Sequence, residues 1–189
     1  MHRCVTDPLR MLVVCTGNIC RSPLAERLLQ RRLGDRAVVR SAGVQGLEAS
    51  AMDPYAAAQL ERLGGDPDGF VSRRLTAADV ATADLVITMT RAHRSEVLAV
   101  EPRGLPRTFT LRELAHLLER DGASSDPSTT IARLAASRST ATLDDYDIAD
   151  PIGGSEQLHA EVADQIAAFV DVVAAAITRG WCDQNPRMG

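Results

Sequence analysis

Three runs rich in β-branched and aliphatic residues, MLVVC (residues 11–15), AVVRS (37–41) and DLVITM (84–89), each give way to a stretch of helical periodicity. A shorter run, RTFT (107–110), leads into another. Strands joined through helices return to the same end of a sheet and so lie parallel. A parallel sheet needs cover on both faces. The expected fold is α/β: a single three-layer domain whose short central parallel sheet, of about four strands, carries helices on both faces. Ligands of such sheets bind at the carboxyl ends of the strands.

Local signals set the expected boundaries. Ser22-Pro23 offers an N-cap and a proline at the first helical position. Leu24, Leu28 and Leu29 then share one helical face, and Gly34 stops the helix. Asp53-Pro54 opens a helix that runs to Leu63 before Gly64-Gly65. TAADVATAD holds a short helix, RAHRSEVLAV and LRELAHLLER longer ones, and residues 154–177 a final one. Residues 121–142, rich in Ser, Thr, Ala and Asp, are expected to form a loop with helical structure only around TIARLAA. The domain is expected to span 10–180 with an insert around 121–143, between an N-terminal tail (1–9) and a C-terminal tail (181–189).

A chain of 189 residues can bury a full core. No apolar run approaches the roughly 20 residues that cross a bilayer, so membrane insertion is not expected. The opening MHRCVTDPLR lacks the apolar stretch of a secretory signal, and a cytoplasmic monomer is expected. Net charge is −4 with no long basic run, which argues against nucleic acid as a partner. The cysteines are Cys4, Cys15, Cys20 and Cys182. No paired Cys or His cluster accompanies Cys15 and Cys20, so no metal and no cofactor are expected.

The chemistry concentrates in VCTGNICRSP, residues 14–23, between the first strand and the first helix. A loop that wraps tightly into a helix N-terminus turns backbone amides and positive helix potential toward one point. Gly17 and Asn18 tolerate the left-handed backbone that such a nest requires. Arg21 supplies a planar fork to two anionic oxygens. Thr16 to Ser22, that is Thr16, Gly17, Asn18, Ile19, Cys20, Arg21 and Ser22, thus make a cradle for a tetrahedral oxyanion. Cys15, last in the strand, faces the same potential, which stabilises a thiolate. A thiolate at the floor of a phosphate site suggests phosphoryl transfer through a cysteinyl-phosphate. Ser22 can hydrogen-bond that sulfur. The string lacks the Gly-Lys-Ser/Thr ending of a Walker A loop. The plain alternative is a buried strand cysteine before a solvated turn, which a bare Cys-x5-Arg would fit as well.

Hydrolysis also needs a proton for the leaving oxygen. Asp144, Asp145, Asp147 and Asp150 cluster before the last helix, and spacing does not choose among them.

VCTGNICRSP closely resembles the phosphate-binding loop of the low-molecular-weight protein tyrosine phosphatases. SAG (41–43) matches the segment after that family's second strand, DPIGGS (150–155) resembles its acid loop in bacterial form, and ADLVITMTRAHR (83–94) its third strand and next helix. The resemblance implies Cys15 as nucleophile, Arg21 as binder of the phosphoryl oxygens, and Asp150 as acid and then base. It implies that Asn18, Ser22 and Ser41 support the loop, and it offers Cys20 as a redox partner able to form a reversible disulfide with Cys15, against the equal alternative of a small packing residue. It implies a phosphotyrosine protein as substrate, with a bacterial tyrosine kinase as the opposing enzyme. Two positions depart from the family. Phe70 stands where many members carry a loop-bracing histidine, and Ile152 where an aromatic walls the cleft. Val44 and Leu47 are the other wall candidates, in a chain with one Trp, two Tyr and three Phe.

Three alternatives remain open. Arsenate reductases of this fold need relay cysteines after the third strand, and residues 82–118 contain none. Protein-arginine phosphatases resemble the loop but carry threonine where Ile19 stands. A phosphate-binding module without turnover would not need Cys15, Arg21 and an acid together.

Overall fold

The structure is a computed structural model that describes residues 7–46, 49–140 and 142–182. Four strands form one parallel sheet in the order β2-β1-β3-β4: β1 Leu9–Cys15, β2 Ala37–Gly43, β3 Leu85–Thr88 and β4 Thr108–Thr110. Seven α-helices lie among the described residues: α1 Arg21–Leu33, α2 Pro54–Arg62, α3 Ala77–Thr82, α4 Arg91–Val100, α5 Leu111–Asp121, α6 Pro127–Ser137 and α7 Glu156–Cys182. None is long and apolar enough to cross a membrane.

Strand β1 shows why the sheet needs both covers. Met11, Val13 and Cys15 join a core with α1, α2, α5 and α7, whereas Leu12 and Val14 join a second core with Val80 of α3 and Val97 of α4. Alternate side chains of one strand point to opposite faces, so a strand apolar throughout is buried twice. On the larger face Leu28, Leu29 and Leu33 of α1 are fully buried. Burial of each such leucine contributes about 1.5–3 kcal/mol.

Two local expectations change. Residues 121–142 are not mainly loop. Asp126 caps α6, with Pro127 in its first turn, and the helix runs eleven residues. Thr130 and Leu134 are buried, and Arg133 donates to the carbonyls of Asp121 and Gly122 at the end of α5. The helical structure expected around TIARLAA thus extends over Pro127–Ser137, held by a cap and one fully buried leucine. Ser22 also does not cap α1. The N-cap position is Cys20, with no side-chain cap bond, because the Ser22 hydroxyl is engaged by Cys15 and Asn18.

The sheet order places β1 between β2 and β3, so the chain leaves β1 toward one side and later returns to the other. Cys15 pairs in register with Gly43, and the crevice opens at that carboxyl end.

Candidate active site

Cys15 ends β1 and is almost fully buried. The next residues turn tightly beneath the end of β2. Val44 and Gln45 donate backbone N–H groups to the carbonyls of Cys15 and Thr16 at 3.0 and 2.9 Å. Gly43 makes this approach feasible, since a Cβ there would lie 2.5 Å from the Thr16 carbonyl oxygen and 2.9 Å from the Asn18 nitrogen.

Asn18 holds a left-handed backbone, φ 56°, and is fully buried. Its side chain fixes the turn. Nδ2 donates to Ser22 Oγ (2.9 Å) and Ser41 Oγ (2.7 Å), and Oδ1 accepts from the Arg73 backbone at 3.0 Å. Ser22 Oγ, already accepting from Asn18, lies 2.9 Å from Cys15 Sγ, so its proton is free to donate to the sulfur. Ser41 in turn donates to Glu26. Burial pushes the Glu26 carboxyl above its usual range, against the Ser41 bond that lowers it. Phe70, in place of a histidine, is buried with the Arg27 guanidinium 5.9 Å from its ring centroid. The Asn–Ser network therefore ends on a carboxylate.

Arg21, the first residue of α1, is 4% exposed. Nη1 donates to the Ile148 carbonyl at 3.0 Å, and Nη2 to Asp150 Oδ2 at 2.5 Å and to Thr16 Oγ1 at 3.4 Å. Its Nε is buried with no hydrogen-bond partner among the described residues. A buried unmatched donor is costly until an acceptor reaches it.

The four aspartates separate by their partners. Asp147 accepts the first backbone N–H of α4, from Arg91, at 2.8 Å. Asp145 pairs with Arg112 at 3.1 Å. Ile148 donates its N–H to the Met89 carbonyl, tying this segment to the end of β3. Asp144 is exposed. Asp150 alone of the four contacts Arg21, and its side chain is 45% exposed.

The geometry thus brings together Cys15, Thr16, Asn18, Arg21, Ser22, Ser41 and Asp150. Gly17 and Ile19 complete the turn, and Ile19 packs partly against the core. Cys20 is buried, and that burial, followed by the nearby Asp53 charge, pushes its thiol up. Among the expected walls, Ile152 is exposed, Val44 packs against the core of the α3/α4 face, and Leu47 falls outside the described residues.

His93 is a neighbour that spacing did not reveal. Its Nε2 lies 2.9 Å from Thr16 Oγ1, and its Nδ1 2.9 Å from Thr90 Oγ1, the N-cap of α4. Either nitrogen can donate to, or accept from, its hydroxyl partner. Burial, followed by the Arg21 charge, lowers its pKa from 6.5 to about 4. The only sequence signal was a Thr three residues before a His at a helix start.

The sequence profile of the low molecular weight phosphotyrosine protein phosphatases matches residues 10–130. The low molecular weight protein-tyrosine-phosphatase Etp of Escherichia coli is 45% identical over 99 residues, 52% of this chain and 66% of that relative, just under two thirds of its length. The protein-arginine-phosphatase of Geobacillus stearothermophilus is 30% identical over 167 residues, 88% of this chain and 95% of that protein. The solved YwlE arginine phosphatase of that organism superimposes with a TM-score of 0.75 at 28% identity, over 95% of this chain and 99% of the other. The sheet order, the loop after β1 and the extent of these matches agree: the chain belongs to the low molecular weight phosphotyrosine protein phosphatase family.

Proposed function

We propose that the protein hydrolyses phosphotyrosine in protein substrates through a cysteinyl-phosphate, with Cys15, Arg21 and Asp150 as catalytic residues. The observation that carries this is the meeting of Arg21 with both ends of the chemistry. It closes the loop that begins at Cys15, and its guanidinium holds Asp150.

Phosphoryl oxygens entering the loop take the Arg21 fork, its unpaired Nε included, and the amides of the turn and of the first turn of α1. Asp150 is then released from Arg21, takes up a proton from solvent and turns toward the leaving oxygen. The Cys15 sulfur forms a bond to phosphorus as the ester P–O bond breaks, and Asp150 gives its proton to the departing phenolate. Water next attacks phosphorus, Asp150 takes its proton, and the S–P bond breaks to release phosphate and the thiolate. Ser22 stabilises that thiolate through its hydroxyl. Thr16, Gly17, Asn18, Ile19, Cys20 and Ser22 line the cradle, with Asn18 and Ser41 fixing its shape. The enzyme works in the cytoplasm, opposing a tyrosine kinase.

The test is hydrolysis of aryl phosphates with graded leaving groups. Cys15→Ser abolishes turnover. Asp150→Asn loses more with poor leaving groups than with good ones. Wild-type rates in the Cys15 variant, or equal losses across leaving groups in the Asp150 variant, refute the mechanism.

A second substrate class, phosphoarginine, is favoured by the arginine-phosphatase relatives that cover nearly the whole chain. Ile19, apolar at the loop, favours an aryl phosphate ester over an N-phosphorylated guanidinium. A panel of phosphotyrosine, phosphoarginine and phosphoserine peptides decides between them by kcat/KM.

A further inference from the structure

Beside the phosphate loop, three side chains from distant parts of the chain converge. The Cys20 sulfur, the Asp53 carboxylate and the His159 imidazole each offer an atom within 4.8 Å of the others. Each is set by its own element. Cys20 occupies the N-cap position of α1. Asp53 caps α2 by accepting the amides of Tyr55 and Ala56, and its own N–H donates to the Ile19 carbonyl at 2.9 Å, which ties it to the loop. His159 lies in the first turn of α7 with its ring 5.3 Å from that of Tyr55. Its Nδ1 stands 3.7 Å from Asp53 Oδ1.

These separations suit a tetrahedral cation. Bonds of ~2.0–2.3 Å to N, O and S place the ligand atoms of a zinc site roughly 3.3–3.6 Å apart. Shifts of about an ångström or less close the cluster onto that geometry. Thiolate and imidazole select a borderline-soft ion over magnesium or calcium. Cys20 and His159 are nearly fully buried, whereas the Asp53 side chain is 21% exposed and gives the cation an entry. The helix-cap bonds on Asp53 orient the carboxylate as outer-shell partners orient metal ligands.

We propose that Cys20, Asp53 and His159 form a binding site for one zinc ion beside the phosphate loop, with water as the fourth ligand. Binding forms the zinc–sulfur bond and releases the Cys20 thiol proton to buffer. The residues are far apart in the chain, so spacing showed no metal cluster.

The test uses the reduced full-length chain with Cys4→Ser and Cys182→Ser, which removes the other two thiols outside the loop. It is titrated with Co2+ and then Zn2+, with no phosphate ester present, so the result does not depend on the hydrolytic activity. One equivalent of Co2+ binds with a thiolate-to-cobalt charge-transfer band, and Zn2+ bleaches it. The band persists in Cys15→Ser and is lost in Cys20→Ser. His159→Gln and Asp53→Asn weaken binding at least about tenfold, the scale set by losing even an outer-shell partner. Asparagine still caps α2, so the Asp53 variant keeps the fold. Absence of the band in the starting protein, its survival in Cys20→Ser, or its loss in Cys15→Ser overturns the proposal.

Discussion

Protonation of His93 should destabilise the protein, because the folded ring is built to stay neutral. Its two nitrogens face Thr16 and Thr90 hydroxyls, Arg21 lies on one side, and Asp147 and Asp150 partly offset that charge. The folded pKa, about 4, is below the ordinary 6.5. The stabilisation is therefore fully present above pH 6.5 and is lost as pH falls through about 4. Linkage makes the loss about 2 kcal/mol by about pH 5 and about 3 kcal/mol by about pH 4. Urea unfolding of wild type and His93→Gln across this range isolates the effect, since every carboxylate titrates in both proteins. Glutamine can still hydrogen-bond Thr16 but does not titrate. The gap between the two proteins should close or reverse by about 2–3 kcal/mol between about pH 7 and about pH 4. Parallel curves would refute the assignment of His93 as a neutral brace of the phosphate loop.

Other outcomes follow from single contacts. In Gly43→Ala the new methyl meets the Thr16 carbonyl and the Asn18 nitrogen, so the loop shifts, and stability drops by about 1–3 kcal/mol while aryl phosphate turnover falls; wild-type turnover would show that the close approach is not needed. Leu134→Ala costs about 2–5 kcal/mol in urea melts, because Leu134 of α6 is 1% exposed within the main core. A loss of a few tenths would mean that α6 is only appended. The Glu26 carboxyl, raised by burial, gives stability that is present below its ordinary pKa and lost as pH rises through the raised one. Glu26→Gln keeps an acceptor for Ser41 and gains on wild type as pH rises from about 4 to about 7, measured by thermal melts; no relative gain would exclude a buried charge at that position.

The sequence by itself determined what short-range physics controls. The β-branched runs at 11–15, 37–41 and 84–89 are strands, the helices between them close where Gly34 and Gly64 stand, and the turn from Cys15 into α1 is a compact cradle. All of that is written within a few residues. Ser22 looks like a cap locally but does not act as one, because its hydroxyl answers to Cys15 and to Asn18, whose own partner Ser41 is in the next strand. Only the TIARLAA part of the insert helix is legible, because one buried leucine and an aspartate cap leave a faint periodicity over the rest. Spacing left the four aspartates alike and the resemblance pointed to Asp150, but which of them meets Arg21 is decided by the tertiary structure. Sheet order and the tie from Ile148 to β3 bring residue 150 to Arg21 across 129 positions, while Asp145 and Asp147 are drawn to Arg112 and to the start of α4. The His93 brace and the Cys20–Asp53–His159 cluster share that origin. Each depends on which strand ends and helix termini meet at the crevice, and packing of the whole chain, not local pattern, sets that meeting.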